Sequence, residues 1–423
     1  MDKNRVVITG MGVVSPNGTG LDDFRRALCS GRSGIRFVPR LAELNFACRI
    51  GGIPTIAENP YKEYFDGKNT NDNIGYAAMA AIEAWLDAGL GIPDDGAGAD
   101  PDAGCIYGCG ICGMETIATR VVPTINAGNV RRLGSQIVEQ VMGSGVSACV
   151  GGILGLGNQV TSNSSACSTG TEAVIDAAFR IRAGLAKRMV AGGAEGASPY
   201  TWGGFDAMRV LARKFNDRPE QGSRPMSDSA CGFVPGAGAG CLVLEDMETA
   251  IGRGAKIYGE VAGAMVNCGG QRRGGSMTAP NPEGVAACIR GAVSDAAVSP
   301  DAIDAINGHF TATYADPHEI KSWSDALERG PETFPYVNAT KSMIGHCLGA
   351  AGAIETIAAV LQLQEGFLHP SINCEDLHPD INAFEKSIVR EYRDFPEIQT
   401  IAKASFGFGD VNSCLIIKKG DIK

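Results

Sequence analysis

Asn163-Ser164-Ser165-Ala166-Cys167-Ser168-Thr169-Gly170 stands between a strand-like stretch and a run in which Ala173, Ala177, Ile181 and Leu185 recur every four residues. A strand, a turn of small polar residues and a helix with one apolar face form the repeating unit of an α/β fold. The rest of the 423-residue chain repeats that unit. Residues 5–10, 104–108 and 187–192 read as strands, and 74–90 as a helix with Ala77, Ala80, Ala81 and Ala84 on one face. Farther on, 256–266, 305–308, 336–339, 401–405 and 414–417 read as strands and 317–328 as a helix. Ala350, Ile354, Ile357, Ala358 and Leu361 follow a 3.6-residue period and predict a buried helix over 349–365. The similar rhythm of the two parts suggests a duplication, dividing the chain into residues 1–254 and 255–423, although no identities repeat. Gly10-Met11-Gly12-Val13-Val14-Ser15 lacks a third glycine and reads as a turn.

Composition narrows the function. The chain is 44% hydrophobic and 20% charged, with 57 dispersed glycines, which excludes a disordered or collagen-like protein. Thirty-seven basic against 47 acidic residues give a net charge of −10, so no nucleic-acid partner is expected and an acidic partner would need a local basic patch. Nowhere do 18 apolar residues run unbroken, which predicts no membrane span. Met1-Asp2-Lys3-Asn4-Arg5 leads straight into the strand-like Val6-Val7-Ile8-Thr9, without a leader pattern. Together with 14 cysteines in no disulfide-framework spacing, this predicts a reducing, cytoplasmic home.

Cys167 falls at a helix start, where free backbone N–H groups and the helix dipole favour a thiolate and where Ser168 and Thr169 can cap. The competing reading is a buried structural cysteine. Of the five histidines, His369 and His378 precede prolines and read as surface residues, and His318, after Pro317, reads as solvated. His309 ends an apolar strand, and His346 lies in Lys341-Ser342-Met343-Ile344-Gly345-His346 at the entry to a helix; with Cys167 they form a candidate nucleophile and proton-handling set. A rival site lies in Cys105-Ile106-Tyr107-Gly108-Cys109-Gly110-Ile111-Cys112-Gly113, which spells both an iron–sulfur-like C-x3-C-x2-C and a dinucleotide G-x-G-x-x-G. Against it, Cys105 lies inside an apolar strand, Arg131 and Arg132 occupy the place of the required acid, and Pro123 should break the following helix. No metal site is expected.

Taken in order and spacing, Val6 to Gly12, Ser165-Ala166-Cys167-Ser168-Thr169-Gly170, Ser223-Arg224-Pro225, Lys341 to His346 and Ser405-Phe406-Gly407-Phe408-Gly409 make the chain resemble the β-ketoacyl-acyl-carrier-protein synthases of the ketosynthase I/II type. The resemblance implies a thiolase fold, two duplicated halves packed as a five-layer αβαβα sandwich, and a homodimer. It implies an acyltransferase that joins an acyl group on Cys167 to malonyl-acyl-carrier protein by decarboxylative Claisen condensation, in fatty-acid or related polyene or polyketide elongation. His309 and His346 would stabilise the enolate, Lys341 would pair with Glu355, and the N–H groups of Cys167 and Phe408 would form the oxyanion hole, with Phe408 gating the acyl pocket. Thr311 and Thr313 would hold the pantetheine. No bound cofactor is implied, because phosphopantetheine arrives on the acyl carrier protein, the expected partner. Arg209, Arg213 and Lys214 are candidates for docking it, with a plain surface role as the alternative.

Some positions depart from the family pattern. Phe310 replaces a glycine and should crowd the pocket near His309, with a one-residue-shorter stretch to Asp316 and Glu319. Ala230-Cys231-Gly232-Phe233 replaces Arg-Asp-Gly-Phe, Ala237 takes the place of a glutamate, and Asp410 replaces a glycine; together these changes should leave the catalytic set intact but remove a buried polar network. Two other functions compete. A non-catalytic chain-length partner characteristically loses the cysteine kept here. A thiolase needs a second catalytic cysteine near the carboxyl end, where Cys414 lies beyond the Phe406–Gly409 turn.

Overall fold

The computed structural model describes residues 4–68, 70–94 and 96–420, so Met1–Lys3 lie outside the described residues. In chain order the first half provides β1 (Val6–Ser15), α1 (Asp72–Asp87), β2 (Ala103–Cys109), α2 (Gly145–Ile153), β3 (Val160–Thr161), α3 (Thr169–Arg182), β4 (Arg188–Glu195) and β5 (Gly238–Asp246). The second provides β6 (Gly259–Cys268), α4 (Pro282–Asp295), β7 (Ala305–Asn307), α5 (Ala315–Leu327), β8 (Tyr336–Asn338), α6 (Ala351–Glu365), β9 (Thr400–Gly407) and β10 (Val411–Lys418).

The strands lie in the order β3-β2-β4-β5-β1 in the first half and β8-β7-β9-β10-β6 in the second. Numbered within its half, each is third-second-fourth-fifth-first, so the repeat that residue identities hide is written in the topology. α1 and α2 cover the outer face of the first sheet, and α4, backed by α5, covers that of the second. α3 and α6 lie between the sheets and touch strands of both. This is the α/β, five-layer arrangement the sequence implied. It differs in one respect: Val7 pairs with Glu260 and Ile8 with Gly259, so the two sheets are hydrogen-bonded into one at a corner. The core between them is built from small and branched side chains, Ala173, Ala177 and Ile181 of α3 against Ile354, Ile357 and Ala358 of α6. Leu185, expected on that stripe, lies beyond the end of α3 and is exposed.

The glycine-rich opening is strand, not turn. A Cβ at Gly10 would come within 2.1 Å of the Ala84 carbonyl oxygen, and one at Gly12 within 2.1 Å of that of Ala80. These glycines let the backbone of α1 lie directly on β1. Pro123 also fails to end its helix: the five-residue π-turn Ile117–Val121 precedes it and leaves it in the first turn of the segment Val122–Asn126, where no N–H is needed. Among the described residues no helix is long and apolar enough to cross a membrane.

Candidate active site

Cys167 sits in a single 3-10 turn, Ala166–Ser168, that feeds α3. Ala166 is held at φ 49°, a left-handed conformation unusual for alanine. Thr169 pins the turn: its hydroxyl donates to Ala166 O at 2.7 Å and accepts from Ser165 N at 2.8 Å. Ser168, expected to cap the helix, instead donates to the carbonyls of Ser405 and Val411 at 3.1 and 3.2 Å, tying the nucleophile turn to the second half.

The C-terminal half brings up the histidines. His346 Nε2 lies 3.0 Å from Cys167 Sγ, and its Nδ1 accepts the Leu348 N–H at 3.2 Å. That acceptance uses the ring's lone pair, so the proton of the neutral imidazole is on Nε2, pointing at the sulfur. His309 has the same arrangement: Lys341 Nζ stands 3.3 Å from its Nδ1, which leaves Nε2 as the donor. The two rings are edge to face, with centroids 5.3 Å apart. Burial and the Lys341 charge push both imidazoles well below the ordinary histidine range, so both are neutral donors at pH 7. Lys341 pairs with Glu355, as expected, and Glu355 is also met by Lys403, 2.9 Å from its Oε2. Lys403 was not anticipated. Its one signal in the sequence is a lone lysine inside the apolar strand 401–405.

The sulfur is not ionised at rest. Burial pushes the Cys167 thiol up to about 11, although the Lys341 charge and the Phe408 backbone N–H pull the other way. Alkylation of Cys167 by iodoacetamide should therefore quicken roughly tenfold per pH unit from pH 7 to 10, because only the thiolate reacts. A plateau near pH 8, read by mass spectrometry of the Cys167 peptide, would show an ionised resting sulfur instead.

Cys167, His309 and His346 present ligand-type atoms within 4.8 Å of one another. The donor set nevertheless opposes a cation: both imidazole lone pairs face N–H donors, and an ammonium stands directly behind His309. The sequence rival around Cys105 does not assemble: Cys105 is sealed within β2, and among the described residues no group of three ligand-type side chains forms around Cys105, Cys109 and Cys112.

A family profile described as "Beta-ketoacyl synthase, N-terminal domain" matches residues 3–250, and "Beta-ketoacyl synthase, C-terminal domain" matches 258–375. The chain belongs to the β-ketoacyl synthase family. It is 38% identical over 418 residues to the chloroplastic 3-oxoacyl-[acyl-carrier-protein] synthase I of Arabidopsis thaliana, covering 97% of this chain and 86% of that one. A β-ketoacyl synthase from Burkholderia phymatum superposes with a TM-score of 0.89 at 28% identity, over 99% of this chain and 100% of the other. A type II polyketide ketosynthase, solved with its acyl carrier protein and bound to the hexaketide, superposes with a TM-score of 0.85 at 28% identity, again over 99% and 100%.

As in an acyltransferase of this family, the three groups open into one cavity of 530 Å³. Phe205, Met208, Val210, Phe233 and Leu348 make its apolar side, while Thr311, Thr313 and Glu319 line the polar side. The Thr311 and Thr313 hydroxyls lie 3.0 Å apart, on a loop whose N–H groups are held by the Asp316 carboxylate. Glu319 accepts the His309 backbone N–H at 2.7 Å, and burial raises its carboxyl to about 8. Phe408 lines the cavity and faces Phe205 at 6.0 Å between centroids. Arg209, Arg213 and Lys214 are exposed, Arg209 between the cavity-lining Met208 and Val210.

Three sequence expectations need correction. Phe310 does not crowd the pocket: its ring is fully buried in the outer core of the second half, against Gly308. His369 is not at the surface but wholly buried, its Nδ1 against Pro370 O at 3.0 Å and its Nε2 against Thr340 Oγ1 at 3.0 Å. Proline after it signals extended backbone, not exposure. Asp410 adds polar contacts: held at φ 63°, its buried carboxylate accepts the N–H groups of Gln271 and Asn281 and organises the loop that carries the cavity-lining Arg273 and Thr278. Cys414 is buried and does not reach the cavity, so the second cysteine of a thiolase is missing from it.

Proposed function

We propose that the chain condenses an acyl group held on Cys167 with malonyl-acyl-carrier protein, releasing CO2 and a β-ketoacyl-acyl-carrier protein. The observation that carries this reading is the meeting of one thiol and two neutral, Nε2-protonated imidazoles in a single cavity with an apolar side. In the first half-reaction Cys167 Sγ attacks the acyl thioester. The carbonyl oxygen becomes an oxyanion facing the N–H groups of Cys167 and Phe408, and the thiol proton ends on the departing pantetheine sulfur. In the second, the malonyl thioester oxygen accepts from Nε2–H of His309 and His346. Loss of CO2 leaves an enolate held by those two donors, and its carbon attacks the acyl-Cys167 carbonyl. Collapse frees the product and a thiolate, which takes a proton from water.

In this reading Thr311 and Thr313, which line the cavity, hold the pantetheine amides, and exposed Arg209, Arg213 and Lys214 offer an acidic carrier protein a basic contact on a chain of net charge −10. No resident cofactor enters the scheme. The open edge at Val160–Thr161 and the exposed apolar Ile111, Val122, Ile125, Val130 and Val138 favour a homodimer. A cytoplasmic site of action fits the many free thiols. Retention of Cys167 beside His346 speaks against a non-catalytic chain-length partner.

Incubation with acyl-acyl-carrier protein should add one acyl mass to the Cys167 peptide, and Cys167→Ala should take up none. Condensation by the alanine variant would rule the mechanism out.

A further inference from the structure

Lys341 and Lys403 are the two buried lysines among the described residues, and they share one carboxylate. Lys341 takes Glu355 Oε1 and meets His309 Nδ1 at 3.3 Å. Lys403, on β9, takes Glu355 Oε2 at 2.9 Å, donates to Ser405 Oγ at 3.0 Å and also donates to the Ala404 carbonyl. Three oxygens surround the Lys403 ammonium, two as hydrogen-bond acceptors and Glu355 Oε2 as its ion-pair partner. Two cations on one carboxylate leave the cluster with net positive charge, sealed from water beneath the two imidazoles. Buried charge in excess is expensive to hold, so a structure that keeps it has a use for the field.

We infer that Lys403 is a positioning residue for the condensation: by neutralising Glu355 it leaves the charge of Lys341 uncancelled behind His309, where that charge favours the neutral imidazole and the enolate forming in front of it. The inference rests on the function proposed above. The charges of both lysines act on both rings in the direction that keeps them unprotonated. Without Lys403, Glu355 would draw on Lys341 alone, the cluster would become neutral, and the field at Nε2 of His309 would drop. The charged and titratable groups around the two rings are each other, Lys341 and Lys403, with Cys167 against His346 and Glu319 on the His309 backbone; Glu195 and Glu355 act on Cys167, and Glu355 pairs with both lysines. Lys403→Met changes one of them and keeps the volume.

The test is decarboxylation of malonyl-acyl-carrier protein by the intact enzyme, followed from pH 5 to 9. Lys403→Met should lower kcat roughly tenfold, less than the ~10²–10³ that follows loss of a direct donor, with KM nearly unchanged. Its acid limb should move to higher pH, which a merely structural role would not cause. Lys403→Ala leaves a hole lined by carboxylate, hydroxyl and carbonyl oxygens, so ammonium or potassium chloride should restore its rate, sodium-matched controls should not, and wild type should respond to neither. Variants with lowered Tm but wild-type kcat and acid limb would overturn the inference. Where neither variant folds, the wild-type profile decides: an acid limb at the ordinary histidine value of ~6.5 would overturn it, and one well below supports it. A wild-type enzyme that does not decarboxylate malonyl-acyl-carrier protein would instead remove the function on which the inference stands.

Discussion

Malonyl decarboxylation should fall roughly 10²–10³-fold in His309→Ala and, separately, in His346→Ala. Each substitution deletes one of the two Nε2–H donors that face the cavity, set there by the N–H groups of Lys341 and Leu348 on the opposite ring nitrogens. The double variant should lose less than the product of the two, because the donors serve one oxygen and a single remaining hydrogen bond already holds part of its charge. Acyl transfer to Cys167 uses different donors, the backbone N–H groups of Cys167 and Phe408, so His309→Ala should still acquire an acyl mass. Release of labelled CO2 and mass spectrometry of the Cys167 peptide measure the two steps apart. Equal loss of both would mean that His309 supports the fold of the site and not the enolate.

Glu355→Ala should be the most damaging change to stability. It strands two buried ammonium groups, and removal of one partner from a buried ion pair typically costs about 3–5 kcal/mol even when a single charge is left behind. We expect a protein that fails to fold, or that unfolds at far lower denaturant, whereas Glu355→Gln keeps acceptor and volume and should suffer less. Wild-type denaturant midpoints for Glu355→Ala would mean that the two lysines are not both charged in the native state.

The sequence announced the repeating α/β unit because its strands and helices differ in period, and it located Cys167, His309 and His346 because polar residues at the ends of apolar runs are conspicuous, whereas Lys341 came only with the family resemblance. It was less informative where glycine had two meanings. Gly10 and Gly12 read as a turn because glycine usually breaks strands, yet here it removes the Cβ that would strike α1. β5 begins Gly-Ala-Gly, which hides it in the same way. α4 carries a start signal of its own, Asn281 as its cap and Pro282 as its first residue. Phe310 and His369 show a different limit. Each sits one residue from a polar or turn position, and a shift of one residue decides which side of the backbone a side chain takes. Lys403 could not be placed because its partner Glu355 is 48 positions away in sequence, on another layer.

The middle layer has a consequence for how such an enzyme can diversify. α3, encoded in the first half, and α6, encoded in the second, each pack on strands of both halves. A half taken from another synthase would have to match its new companion along the whole length of two helices whose alanines leave no slack. Inheritance of a different specificity is therefore confined to the rim, in segments such as Phe205–Val210 and Arg273–Pro280, where the chain can change without either helix being asked to move.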